Sequence, residues 1–249
     1  MSANKSDYLD DHSALNLLHA SQTIREQGEP TKANALLQDV LCYYVKERDA
    51  LHVAQVLRSF AMAYQHLFMS MGGVLFAQLA EDSARRALQV ATGNEARSEI
   101  APARRALGKA LEAQGRFDEA VEQLEQMVQG FDDVKREIGA MEAERGDYLC
   151  ALGVAMCRAD RQEEGLVKLR EGIGHLERHR DEASGDDPSK PFLLDVWLSG
   201  AYLTLAELLR EKDPQEAKKH LEEARVIIEG NADLHMRRRQ LEQLEETLR

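Results

Sequence analysis

In LGKALEAQGRFDEAVEQLEQMV, residues 107–128, apolar positions recur at the three-to-four-residue step of a helix and break once, at Gly115. The stretch predicts two amphipathic helices joined at that glycine. Elsewhere Val and Ile stand singly at the same helical spacing, and no run alternates apolar with polar residues, so no sheet of any size is predicted. Ala, Leu, Glu, Arg and Gln, all good helix formers, dominate the composition, and the chain has only 5 prolines.

The small residues of that stretch keep a fixed frame. Gly108 to Gly115 is seven positions and Gly115 to Ala120 is five. Residues 14–40 repeat it with Ser21, Gly28 and Ala33, and residues 146–169 with Gly153, Asp160 and Gly165. Near the C-terminus the turn is Lys212-Asp213-Pro214 and the alanine is Ala217. The segment 50–92 is looser, with a turn at Met71-Gly72-Gly73 and Ala80, Ala84 and Ala87 on the helix that follows. Two antiparallel helices approach closely where each presents a small residue, so Gly108 is expected against Ala120 and Gly153 against Gly165. Gly28 and Gly115 suit the left-handed position that ends a helix. Asp118, Thr31 and Asp213 with Pro214 suit the start of the next.

This frame resembles the tetratricopeptide repeat (TPR), with Gly108, Ala120, Leu124 and Met127 in the family's small and apolar positions and GRFDEA as its turn. The resemblance is good in the units starting near 14, 101 and 146, fair near 198 and weak at 50–92. The alanine-equivalents Ala33, Ala80, Ala120, Gly165 and Ala217 are 47, 40, 45 and 52 apart, not the family's ~34. Helices of ~20 residues, or larger connections between repeats, account for the difference. The kinesin-light-chain-like and bacterial peptide-sensor TPR proteins are long-helix relatives of this kind. The resemblance implies an all-α, right-handed superhelix of about five antiparallel helix pairs over 13–249, after a flexible N-terminus, 1–12. Asp181–Pro191, acidic, small and proline-bearing, reads as an exposed loop. A last helix is predicted over 231–249, capped by Asn231. Its stripe of Leu234, Leu241, Leu244 and Leu248 either covers the open end of the array or pairs with a second subunit.

Charge and candidate chemistry narrow the function. With 44 acidic against 32 basic side chains the net charge is −12, which disfavours nucleic acid as a main partner. The polar, acidic N-terminus lacks a signal pattern and no apolar stretch reads as a membrane span, so the expectation is a soluble, cytoplasmic protein. Cys42, Cys150 and Cys157 form neither a disulfide framework nor a metal-binding spacing, and Cys150 and Cys157, seven apart, read as small hydrophobes on one helix face. His175 and His179 lie within HLERH, which lacks the HExxH order and a third ligand, and read as a solvated face. Phosphate-binding glycine loops and GxSxG are absent. No catalytic residue, metal or cofactor is predicted, and the chain reads as a non-enzyme. Trp197 reads as core, and Arg237-Arg238-Arg239 as a solvated face near a helix start.

The TPR resemblance further implies a concave groove lined by the first helix of each pair. Carried over by position, it points to Gln22, Arg25, Arg105, Lys109, Glu112, Arg158, Tyr202 and Arg210 as partner-binding residues. The same carry-over places Leu18, Glu26, Cys150, Val154, Cys157 and Ala206 on the groove as well. Arg25, Arg105, Lys109, Arg158 and Arg210 would either form a positive channel for an acidic protein segment or pair with neighbouring carboxylates. The asparagines of the family's full carboxylate clamp are not present. The expected function is a scaffold or adaptor binding a peptide or helix of a partner. The alternative is a regulatory peptide sensor or subunit acting by conformational change or dimerisation.

Overall fold

The computed structural model describes residues 9–138, 142–179 and 189–247. All regular structure among them is helical, as expected. The chain forms two compact units, Met1–Gly139 and Ala140–Arg249.

The first unit holds α1 (Asp11–Glu26), α2 (Pro30–Glu47), α3 (Ala50–Met71), α4 (Val74–Gly93), α5 (Arg97–Glu112), α6 (Phe117–Gln129) and α7 (Phe131–Ile138). Each of α1 to α6 packs on its successor, and α3 also packs on α1 and α5. The odd-numbered helices α1, α3 and α5 therefore form one layer. The second unit holds α8 (Glu142–Arg158), α9 (Gln162–Arg178), α10 (Ser189–Leu209), α11 (Pro214–Gly230) and α12 (His235–Thr247). There α10 is central, touching α8, α9, α11 and α12.

Local chemistry sets the helix ends. The side chains of Asp10, Asp49 and Asp213 accept hydrogen bonds from the backbone N–H groups of Ser13, His52 and Glu216, satisfying donors that the first turn leaves open. Pro30 and Pro214 open α2 and α11, where the missing N–H costs nothing. Gly28 and Gly115 have positive φ, as the frame required. Asp160, predicted at the equivalent turn, also takes a left-handed conformation (φ 60°), which a short polar side chain tolerates. The looser segment 50–92 becomes a close pair. Ala77, Ala80, Ala84, Ala87 and Ala91 place a fully buried alanine face on α4, which packs on both α3 and α5.

Several expectations shift in detail. Most helices run 16–22 residues, near the length that the wide repeat spacing implied. The extra helix α7, which packs on α5 and α6, takes up the rest of the 45-residue interval after Ala120. A Cβ on Gly108 would lie 2.7 Å from Leu124 Cγ, so Gly108 faces Leu124 rather than Ala120. Most of the proposed N-terminal segment 1–12 and of the loop 181–191 lies outside the described residues. The end of that loop, from Ser189, is already helical.

Helix α12 begins four residues after Asn231, which instead ends α11 and accepts the backbone N–H of Asp233. Leu234 and Leu241 are buried and Leu244 packs on the same core, so the stripe covers α10 and α11; Leu248 lies outside the described residues. Among the described residues one segment, Pro191–Leu209, is long and apolar enough to span a membrane by length and composition (mean hydropathy 1.4), contrary to the sequence reading. It is the core helix of the second unit, 56% buried.

The α8–α9 pair is packed backbone to backbone. Gly146 and Gly153 of α8 face Gly172 and Gly165 of α9, and a Cβ on Gly153 would sit 2.5 Å from Leu169 N and 2.6 Å from Gly165 O. Cys150 and Cys157 interleave with these glycines: their Sγ atoms occupy the space that side chains at Gly172 and Gly165 would need. They are the small hydrophobes expected of them, and burial pushes the Cys157 thiol pKa up. Gly174, two residues past Gly172, has no atom within 4 Å of a Cβ position. Gly174→Ala is therefore expected to stabilise the protein by about 0.5–1 kcal/mol through helix propensity alone, read as a raised midpoint in urea unfolding. An unchanged or lowered midpoint would contradict the space seen there.

Candidate functional site

The α1–α3–α5 layer of the first unit gathers charged and amide side chains where an apolar face would ordinarily pack. Arg25 and Glu26, at the end of α1, are both buried and pair at 3.1 Å. Glu26 also lies 3.5 Å from His66 Nε2 of α3. One side of α3 adds Gln55 and Arg58, which donate to the two oxygens of Glu99 on α5, each at 3.0 Å. Glu99 is 3% exposed, so Arg58 neutralises an otherwise costly buried carboxylate. Gln65 Nε2 donates to the Ala106 carbonyl at 3.0 Å and ties α3 to α5.

On α5, Lys109 lies 3.8 Å from the buried carboxylate of Glu112. Burial lowers the Arg25 pKa, opposed by its partner Glu26, and the charges of Arg58 and Arg105 lower it further. The three arginines are thus close enough to feel one another, with Glu26 paired to Arg25 and Glu99 to Arg58.

The sequence-derived residues divide between the units. Arg25, Arg105, Lys109 and Glu112 belong to this cluster; Gln22 stands half-buried on α1 one turn before it. Leu18, placed on the groove by position, is core. In the second unit Arg158 and Arg210 are brought together at an open pocket of about 370 Å³, which Gln162, Thr204 and Lys212 also line. Lys212 donates to Gln162 there, and Arg210 lies 3.6 Å from Glu211. Tyr202 is not part of that pocket: it is buried, its hydroxyl donates to Glu177 and its ring stacks on His220. Cys150 and Val154 are core. Pairing with carboxylates, one of the two alternatives for the cations, is what Arg25, Lys109 and Arg210 do.

Two surface expectations change as well. Arg237 donates to the Val196 carbonyl, its guanidinium seated over Gly200, and Arg238 donates to the Ile228 carbonyl, so two of the three arginines are structural. His175 and His179 stack with ring centroids 5.9 Å apart and are half-buried, and desolvation lowers the His175 pKa, reinforced by Arg178.

The residues that the sequence reading missed are Gln55, Arg58, Gln65, His66 and Glu99. All but Glu99 lie on α3, in the segment where the repeat frame is weakest. A signal was present: Arg58 is the only Asp, Glu, Lys or Arg in the whole of Ala50–Met71. A lone charge on an otherwise uncharged helix needs a partner, and Glu99 is that partner.

No protein-family model matches the chain, and no curated protein matches it significantly in sequence. Solved structures do. A kinesin-light-chain-like protein of Podosopora anserina with nearly identical TPR-like repeats superposes with a TM-score of 0.53 at 19% identity, over 88% of this chain and 97% of its own. A Rap protein, solved in complex with Competence and Sporulation Factor, gives 0.60 at 15% identity, over 98% of this chain and 67% of its own. BtubC of P. vanneervenii gives 0.58 at 15% identity, over 90% of this chain and 85% of its own. At these identities the likeness speaks for the fold. The helix pairs, their glycine turns and these neighbours together make the chain an all-α protein of the TPR-like repeat fold.

Proposed function

We propose that the protein is a non-enzymatic scaffold that binds a segment of a partner protein on the α1–α3–α5 face of its first unit. The observation that carries this reading is the convergence there of Arg25, Arg58 and Arg105 with Glu26, Glu99, Glu112 and the α3 amides. A helix layer whose only task is packing has no use for such a face, because each buried charge must recover its lost hydration. Arg58, Arg105 and Lys109 keep partial exposure and form the contact edge, while the Arg25–Glu26 pair lies beneath them. An acidic or amide-rich segment suits this edge, since arginine forks bind carboxylates in two-pronged fashion. The Rap neighbour in complex with Competence and Sporulation Factor supports a binding role for the fold.

The test is a fluorescence-anisotropy screen of acidic, basic and uncharged peptides against the wild type and Arg58→Ala/Arg105→Ala, after circular dichroism has shown that the variant folds. An acidic peptide should bind the wild type, weaken with added salt, and lose about tenfold or more in affinity to the variant. Equal binding to both proteins would remove the site from this face.

A further inference from the structure

The α3–α4 hairpin is apolar at both ends, a turn of exposed side chains at one and an open groove at the other. Ser59–Ala80 contains no Asp, Glu, Lys or Arg, the longest such run in a chain that is 31% charged. At the tip, around Gly72 and Gly73, Met69, Met71, Val74 and Leu75 are 54–71% exposed. On its α1 side the tip stands clear because α3 outlasts that helix. His66 is level with Glu26, at the end of α1, and α3 continues five residues further, roughly 7.5 Å. At the other end of the same hairpin, where α4 finishes, α2, α3 and α4 leave an open groove of about 560 Å³ walled by Leu41, Val45, Val53, Leu57 and Val90. Arg86 at its margin is held by Asp82 at 2.9 Å. Val45, on the groove wall, is itself 57% exposed.

We propose that the tip of one molecule docks into the groove of a second copy of this chain, giving head-to-tail self-association. The match of chemistry selects this occupant. A net charge of −12 sets copies of the chain against one another over most of their surface. Tip and groove are both apolar, so two copies meet there without opposing charges. Methionine on the tip adapts to an irregular groove. The tip and the groove are different surfaces at opposite ends of one hairpin. The contact is therefore heterologous, each copy offering one donor end and one acceptor end, and it extends to chains of copies rather than stopping at a symmetric dimer.

The experiment is sedimentation of the full chain at rising concentration, with Met71→Glu/Leu75→Glu closing the tip and Val45→Glu closing the groove. All three positions are exposed, so the fold is kept, and circular dichroism verifies it. The wild type should exceed its 28.0 kDa monomer mass as concentration rises. The effect should strengthen with salt, which screens the mutual repulsion. Each variant alone should remain a monomer. Their equimolar mixture should double in mass and stop there, because one variant keeps its groove and the other its tip. A wild type that stays monomeric throughout overturns the proposal. So does a groove variant that still associates alone, which would make the contact tip to tip. Peptide binding on the α1–α3–α5 face is read separately and is unaffected by either variant.

Discussion

Gly153→Ala should be among the most damaging single-methyl changes in the second unit, lowering the unfolding free energy by about 3 kcal/mol. The new Cβ would meet Leu169 N at 2.5 Å and Gly165 O at 2.6 Å. Both are backbone atoms of α9, so no rotamer change relieves the clash. The two helices must separate, which also loosens Gly146 against Gly172 and the two cysteines between them. On thermal unfolding the midpoint should fall by roughly 10 °C. Gly108→Ala makes a useful contrast. Its Cβ would approach Leu124 side-chain atoms at 2.7–3.2 Å, and a leucine can turn away. The loss there should be smaller. If Gly153→Ala cost no more than Gly108→Ala, the backbone contact between α8 and α9 would be looser than described.

Arg25→Met should cost about 3 kcal/mol, because it leaves the Glu26 carboxylate, 4% exposed, without its guanidinium. The double variant Arg25→Met/Glu26→Leu should recover most of that loss in urea unfolding, since both charges then leave the interior together. Stability and binding should separate in this variant: a near-native unfolding midpoint with weakened binding of the acidic peptide. That outcome would mean the pair is kept for recognition rather than for the fold. A double variant as unstable as the single one would instead make the pair a structural element.

The helix pairs were legible because their turns need particular residues. A left-handed helix end admits glycine readily and aspartate tolerably, so Gly28, Gly115 and Asp160 mark three turns in the sequence as clearly as in the fold. The candidate site was legible in part. Arg25, Arg105, Lys109 and Glu112 follow from their place in the repeat, which fixes the helix face. Arg58 and Glu99 are 41 residues apart, and their pairing depends on how α3 sits beside α5. Both helices bury several alanines, and an alanine pattern carries little register information. Tyr202 shows the reverse limit. Its repeat position suggested a groove, but α10 is packed on four other helices, and its neighbours Glu177 and His220 claim the ring and hydroxyl.

Side chains between helices usually act as bearings: they change rotamer and let one helix slide or roll on the next. Between α8 and α9 four glycines remove most of that bearing, and the peptide planes touch. In mechanical terms the pair is a welded plate. Any flexing of the second unit must then be taken up at seams built from larger side chains, such as α9 against α10 or α10 against α11. Those seams border Tyr202, Glu177 and His220, which puts a buried polar contact at the place where the unit is free to bend.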